Sequence, residues 1–354
     1  MKRKLLMVNH SQFGYHTIYV HYARYLKTDF DITFLCWDYR LKLIEEPGIT
    51  IQYVSRKGNK IARNVRFIKT ISSLLSTSSY HCVFIKYFFG CFVIPFIFNK
   101  KQFIHLDIRT GSVIANSFGR KLSNFILRIE SRFFNSISII STGLRTYLKV
   151  RGDAYILPVG ANSIPVVRYV KNKIELLYVG TFANRNIEDT VEGLGLFLHK
   201  NFDANISYTI IGDGSVSELE SIKKNIRKYS LDKYVSLMGY VPHSELVSYY
   251  EKSSVGVSYV PITPYFNYQP STKTFEYLMA GMPVIATSTY EHRQIINDVN
   301  GIIIDDTPES FANAITQLHE GFTGYKEQKI RSSVAEYEWT KIVTGMKNSI
   351  LDFV

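Results

Sequence analysis

Residues 270–287, PSTKTFEYLMAGMPVIAT, read as a helix start, a short helix, a stop and a buried strand. Ser271 or Thr272 suits the N-cap, where a hydroxyl accepts from the unbonded N–H groups of the first turn. Phe275, Leu278, Met279 and Met282 recur at i, i+3, i+4 and i+7 and form one apolar face. Gly281 with Pro283 just beyond ends the helix, since glycine takes the left-handed conformation and proline cannot continue the hydrogen-bond ladder. Val284 to Ala286 is apolar enough for a core strand, and the β-branched run Val255 to Ile262 lies upstream. Strand, polar loop, helix, strand is the unit of a parallel α/β sheet, where ligands bind at the carboxyl ends of strands. The helix start adds free N–H groups and a partial positive charge, which suit a phosphate.

Working outward, the second half of the chain repeats this pattern. Glu175 to Val179 is a strand that opens into Gly180-Thr181 and a loop with Arg185. Ser207 to Ile211 ends in Gly212-Asp213-Gly214, and Val235 to Met238 ends in Gly239-Tyr240-Val241. One such glycine turn is an ordinary strand-to-helix connection. Three at successive strand ends, together with Ser271 and Thr272, describe one rim that can take a nucleotide or diphosphate. The dinucleotide fingerprint G-x-G-x-x-G and the P-loop pattern are both missing, which disfavours those cofactor classes. Arg185 and Lys273 are the cations nearest the rim. A departing diphosphate gains negative charge, and fixed cations with helix N–H groups stabilise it without a metal. Lys273 also stands at i,i+3 to Glu276, a spacing that suits a plain surface pair. The Glu276 carboxylate can accept two hydroxyl hydrogen bonds, as a ribose diol presents them.

The first half alternates strand and helix in the same way from Lys4 onward, so it too reads as α/β with a parallel sheet. Its strand ends carry the loop Asn9 to His16, with Gly14, and the turn Asp107, Arg109, Gly111. His10, His16, His105 and Asp107 are acid–base or hydroxyl-binding candidates. His105 alternates within a strand and reads as packed. Asp107 with Arg109 is either a local ion pair or a sugar contact. Pro158 to Lys173, with its prolines and basic tail, is the expected linker.

Charge divides unevenly along the chain. Residues 1–165 hold 24 Lys and Arg against 8 Asp and Glu, a net +16, while residues 166–354 hold 18 against 22, a net −4. A basic half points to an anionic surface or substrate: a membrane leaflet, a pyrophosphate-linked acceptor or nucleic acid. The three cysteines, Cys36, Cys82 and Cys91, form no CxxC and read as buried thiols of a reducing compartment. The apolar run Tyr87 to Phe98 is shorter than the ~20 residues of a membrane span and reads as a core helix. No metal-binding motif occurs, so no metal and no bound cofactor are expected.

LLYVGTFANRNI at 176–187, IIGDG at 210–214, GYVPHSELVSYY at 239–250, PSTKTFEYLMAGMPVIAT and NGIIIDD at 300–306 together resemble the donor domain of glycosyltransferase family 4, in order and in spacing. DIRTG at 107–111, STGLRTYL at 141–148 and LPVGAN at 157–162 extend the resemblance more loosely into the first half. It implies the GT-B fold, two α/β Rossmann-like domains facing each other across a cleft. The expected divisions are 1–165 for the acceptor, 166–335 for the donor and 336–354 as a helix crossing back to the first domain. It implies retaining, metal-independent transfer of a sugar from a nucleotide sugar, UDP- or GDP-linked. The +16 charge and aromatic content of the first half make a lipid-linked saccharide at an anionic membrane surface the expected acceptor, with the enzyme cytoplasmic and peripheral at the inner face of the cell membrane.

The expected site residues are Asp107, Arg185 and Lys273 as catalytic; Gly14, Gly180, Thr181, Gly212, Gly214, Tyr240, Val241, Ser271, Thr272 and Glu276 on the donor; and His16 and Arg109 on the acceptor. The chain departs from the family at Tyr268, where many members place the first Glu of a Glu-x7-Glu pair ending at Glu276. Asn267, Tyr268, Gln269 or loop backbone must then contact the sugar. A nucleotide-sugar 2-epimerase on the same fold, and a nucleic-acid-binding protein using the basic half, are the competing readings; no recognition motif accompanies the charge for the latter.

Overall fold

The computed structural model describes residues 2–15, 17–98, 102–164, 173–242, 245–321 and 324–352. The chain divides into two compact units, Met1–Val159 with Trp339–Val354, and Gly160–Glu338.

The first unit runs β1 (Arg3–Asn9), α1 (Thr17–Leu26), β2 (Phe30–Asp38), β3 (Ile49–Ser55), α2 (Lys60–Thr77), β4 (Cys82–Lys86), α3 (Val93–Phe98), β5 (Ile104–Ile108), α4 (Ser117–Ser131), β6 (Ser136–Ile139), α5 (Thr142–Leu148) and β7 (Tyr155–Ile156). Its seven strands pair in the order β3-β2-β1-β4-β5-β6-β7, and every pairing is parallel. A parallel sheet covered on both faces needs near-continuous apolar strands. β1 meets this with Leu5, Leu6, Met7 and Val8, all fully buried.

The second unit continues with β8 (Ile174–Val179), α6 (Ile187–Lys200), β9 (Ile206–Ile211), α7 (Val216–Lys228), β10 (Val235–Gly239), α8 (Val247–Lys252), β11 (Val255–Ser258), α9 (Thr272–Met279), β12 (Val284–Thr287), α10 (Tyr290–Ile295), β13 (Gly301–Ile304), α11 (Pro308–Gly321) and α12 (Glu327–Ser333). Its order is β10-β9-β8-β11-β12-β13, again all parallel. In both sheets the strand order reverses once, between β1 and β4 and between β8 and β11. These are the switch points, where adjacent crossovers diverge and leave a crevice at the carboxyl ends.

The opening stretch folds as its pattern predicts. α9 ends at Ala280, and Gly281 takes φ +82°. Met282 N–H donates to Tyr277 O (3.0 Å) and Gly281 N–H to Leu278 O (2.9 Å), the paired bonds of a Schellman cap. α9 can lie close on β11 because Gly256 has no side chain: a Cβ there would stand 2.3 Å from the Tyr277 ring. Tyr277 is fully buried, and its hydroxyl accepts the Val179 N–H at 2.8 Å, which ties α9 to the end of β8.

The last helix, α13 (Trp339–Met346), continues as one π turn over Lys347–Leu351 and belongs to the first unit. Trp339 stacks on His21 at 4.7 Å and meets the Tyr22 edge at 5.7 Å. Ile342, Val343, Met346 and Ile350 are buried beside it. Lys347 pairs with Asp29.

Tyr87 to Phe98 departs from its expectation as a core helix. Only the six residues of α3 are helical, and Phe96 is 80% and Ile97 53% exposed. A helix this short on the surface buries one side only, here Ile94, Pro95 and Phe98. Among the described residues no helix is long and apolar enough to cross a membrane.

Candidate active site

A cavity of about 200 Å³ opens at the β8/β11 switch point. Gly180, Thr181 and Arg185 line it from the β8 side; Ser258, Tyr259 and Val260 from the end of β11; Phe266, Gln269 and Pro270 from the following loop; and Ser271, Thr272 and Lys273 from the start of α9. The geometry thus brings Gly180, Thr181, Arg185, Ser271, Thr272 and Lys273 together, as their strand-end positions predict.

Of the two cations lining the cavity, Arg185 is the less compensated. Its guanidinium lies 4.3 Å over the Phe266 ring, and its buried Nε has no hydrogen-bond partner. Among the described residues no carboxylate pairs with it. Burial lowers its pKa, with Tyr178 and Tyr265 opposing. A guanidinium left this short of acceptors, against a low-dielectric wall, binds an oxyanion strongly.

Ser271 is the N-cap of α9 but its side chain makes no capping bond. Its Oγ instead accepts from Ser258 Oγ at 3.2 Å. The first-turn N–H groups are therefore not claimed by the cap hydroxyl. Beneath them, Ser258 Oγ and Thr274 Oγ1 are 2.8 Å apart and lie 3.1 and 3.2 Å from His292 Nε2. His292 Nδ1–H donates to Thr287 O at 2.7 Å, which leaves Nε2 as the acceptor. Burial holds this imidazole neutral, with its pKa lowered to about 4. The network fixes the helix start against β11 and β12. No sequence pattern marked Ser258 or His292, because their contacts cross 13 to 34 residues.

Lys273 Nζ sits 2.6 Å from Glu276 Oε2, so the i,i+3 pair does form. The Tyr250 hydroxyl donates to the same oxygen at 2.6 Å. Tyr250, on α8, is a third partner that the sequence did not indicate. In the loop before α9, Asn267 is committed to α10: its Oδ1 accepts the Tyr290 N–H at 2.7 Å. Tyr268 packs against Tyr290. Of the three residues expected near the sugar, Gln269 is the one that lines the cavity.

Gly212 and Gly214 do not line it. A Cβ on Gly212, where φ is +152°, would fall 1.7 Å from Gly180 O, and one on Gly214 would fall 2.9 Å from Phe182 Cβ. These glycines let the β9 turn pack against the Gly180 turn, a structural task in place of the expected donor contact. Tyr240 is largely exposed and Val241 half-buried past the end of β10.

In the first unit, the structure corrects the roles expected of Asp107 and Arg109. Asp107 has no exposed surface. Tyr19 OH donates to Oδ2 at 2.5 Å, and Ser138 Oγ to Oδ1 at 2.7 Å. Arg109 is buried 3.7 Å from Oδ1 and donates to Leu157 O at 2.6 Å. Both are built into the core: the carboxylate has no exposed surface, accepts from two hydroxyls and lies beside a guanidinium, so it does not face a substrate. His105 is packed, as its alternation predicts. It stacks on Phe84, lies 2.8 Å from both Ser136 Oγ and Ser138 Oγ, and is held neutral by burial, with its pKa lowered to about 3. Gly14 takes φ +91°, a conformation L side chains rarely adopt, so the backbone of this loop accounts for the glycine. His16 lies outside the described residues. Among the described residues no group of three His, Cys, Asp or Glu is placed to hold a metal ion.

Residues 173–321 match the family described as glycosyl transferases group 1. Comparison with curated protein sequences finds no match. Among solved structures, sucrose-phosphate synthase from Thermosynechococcus elongatus aligns over 99% of both chains with TM-score 0.78 and 15% identity. The lipopolysaccharide outer core galactosyltransferase WaaB aligns over 99% of this chain and all of its own, with TM-score 0.74 and 15% identity. Anabaena HepE, solved with UDP and glucose, aligns to the same extent with TM-score 0.76 and 10% identity. At these identities the structures speak to fold, which is GT-B: two doubly wound parallel sheets, of seven and six strands. Over residues 173–321 the matched family is the one the transferase reading names. Residues 173–321 thus form a group 1 glycosyltransferase domain, of the retaining family 4, whose members transfer a sugar from a nucleotide-sugar donor.

Proposed function

We propose that the β8/β11 cavity holds the diphosphate of the donor and that the acceptor is a saccharide carried on a lipid at an anionic membrane. The observation that carries the first part is the unpaired Arg185 guanidinium facing the start of α9. The diphosphate sits on Arg185, Lys273 and the N–H groups at Ser271 and Thr272. Glu276 takes the ribose hydroxyls, Tyr240 and Val241 flank the base, and Gln269 meets the sugar. The C1–O bond to the diphosphate breaks on the face from which the acceptor hydroxyl attacks. The departing phosphate oxygen takes the acceptor proton, and this same-face exchange retains configuration without a protein base. HepE was solved with UDP-glucose, which supports starting with uridine donors.

Glu276 gives the direct test of orientation. Glu276→Ala is expected to raise the donor KM about 10- to 100-fold, the loss of charge-assisted hydrogen bonds worth roughly 1.5–3 kcal/mol. The penalty should shrink for a 2′-deoxy donor. Unchanged donor kinetics in a folded variant would remove Glu276 from the site.

The membrane part rests on an inverted helix. α4 turns Phe118, Leu122 and Phe125 outward at i, i+4 and i+7, with Phe118 77% exposed. Lys121 and Arg132 are exposed beside them. The α3 segment adjoins the end of α4: Phe92 contacts Phe133 at 5.3 Å, and Glu130 accepts the Gly90 N–H at 3.0 Å. Phe89, Phe96 and Phe133 are exposed there too. Exposed aromatics flanked by cations fit an anionic lipid interface, where apolar burial and charge attraction add. The chain should pellet with phosphatidylglycerol-containing vesicles at low salt and less at high salt. Phe118→Ser with Phe125→Ser should cut binding at least tenfold, since each buried Phe contributes about 1.5–3 kcal/mol. Equal recovery in the supernatant with and without vesicles would sink the lipid acceptor surface. With that surface, the enzyme works at the cytoplasmic face of the membrane, in polysaccharide or glycan assembly.

A further inference from the structure

β4 reads CVFIK: four buried residues and then Lys86. Lys86 is the last residue of the strand, at the β1/β4 switch point of the first sheet. Strand period 2 puts Phe84 and Lys86 on one face, and the register sets them beside His105 and Asp107. That face is covered by α1. Lys86 Nζ lies 5.6 Å from the Tyr19 ring centroid, a cation–π contact. Among the described residues Lys86 has no hydrogen-bond acceptor and no carboxylate within ion-pair distance.

Other charged and titratable groups facing it are Asp107 and Arg109 from β5 and its following turn, and Tyr19 and Tyr22 from α1. Asp107 is already engaged by Tyr19 and Ser138, with Arg109 at 3.7 Å, and Arg109 adds a second cation. Tyr19 and Tyr22 are held protonated by burial. Two cations thus share one carboxylate, and among the described residues the three ammonium N–H donors have no acceptor.

We propose that Lys86 is the anion-holding residue of the acceptor subsite and binds a phosphoryl oxyanion of the acceptor. This rests on the reading that the acceptor carries its saccharide on a phosphate linkage. A neutral hydroxyl would fill one N–H and leave the excess charge. A phosphoryl oxygen fills the donors and cancels charge together. The under-compensation registers in the ammonium itself: burial first, then Arg109, pull its pKa from 10.5 to about 8, against Asp107.

The test reads Lys86 directly. Lysines of the full chain are converted to 13C-dimethyl lysine, with Lys86→Arg identifying the Lys86 resonance. UDP is kept saturating, so that added pyrophosphate cannot occupy the donor site. Pyrophosphate should move the Lys86 titration midpoint upward, glucuronate less, and maltose not at all. In parallel, Lys86→Met should lower pyrophosphate affinity at least tenfold and leave UDP affinity unchanged, which also certifies its fold. A Lys86 midpoint insensitive to pyrophosphate overturns the proposal. A larger response to glucuronate than to pyrophosphate overturns the phosphoryl assignment. Failure of UDP to bind would count against the donor site alone, because the Lys86 resonance still reports its own neighbourhood.

Discussion

Arg185→Ala is expected to lower kcat for sugar transfer about 10²- to 10³-fold, the range for removing one fixed donor from a developing oxyanion, roughly 2.7–4 kcal/mol. The effect should exceed that of Lys273→Ala, because Lys273 shares its charge with Glu276 at 2.6 Å whereas Arg185 has no carboxylate partner among the described residues. Removing Arg185 leaves no buried anion behind, so thermal stability should barely change. Steady-state kinetics with a UDP-sugar, alongside a melting curve, separate the two effects. A folded Arg185→Ala enzyme with full kcat would move the diphosphate elsewhere.

Asp107→Ala is expected to destabilise the first unit by about 3–5 kcal/mol, the usual cost of stranding one partner of a buried pair. Arg109 would keep its charge at 6% exposure with only carbonyl oxygens left to receive it. Tyr19 and Ser138 would each lose an acceptor. For a unit of this size the midpoint should fall roughly 10 °C. Denaturant or thermal unfolding reads this directly. An Asp107→Ala chain of native stability that no longer transfers sugar would restore Asp107 to the reaction.

The two substitutions mark what a reader of the sequence can and cannot see. Both residues follow the same logic there: a charged group at the end of an apolar strand. Arg185 lies beyond β8, past a glycine turn, and reaches the crevice. Asp107 lies one residue inside β5, and α1 covers it with Tyr19. A shift of one or two residues along a strand decides between rim and core, and element ends are where patterns are least sharp. The same imprecision affects the glycines. Gly180 lines the cavity, whereas Gly212 is needed because the Gly180 carbonyl would stand 1.7 Å from its Cβ. Both read as a glycine after a strand.

By itself the sequence determined most of the elements, the parallel sheets and the transferase character of residues 173–321, because periodicity and turn chemistry are local and survive any docking of the pieces. It also placed Arg185, Lys273, Ser271 and Thr272 on one rim, since strand ends in a parallel sheet share an edge. Only the tertiary structure decided which charged groups are spent. Lys273 is paired with Glu276, Asp107 is engaged by α1 and β6, and among the described residues Arg185 and Lys86 are left without acceptors. Partners such as Tyr250, His292 and Tyr19 come from 18 to 88 residues away. Charge compensation is set by distance in space, which local pattern does not encode, so the residues available for chemistry emerge once the sheets are covered.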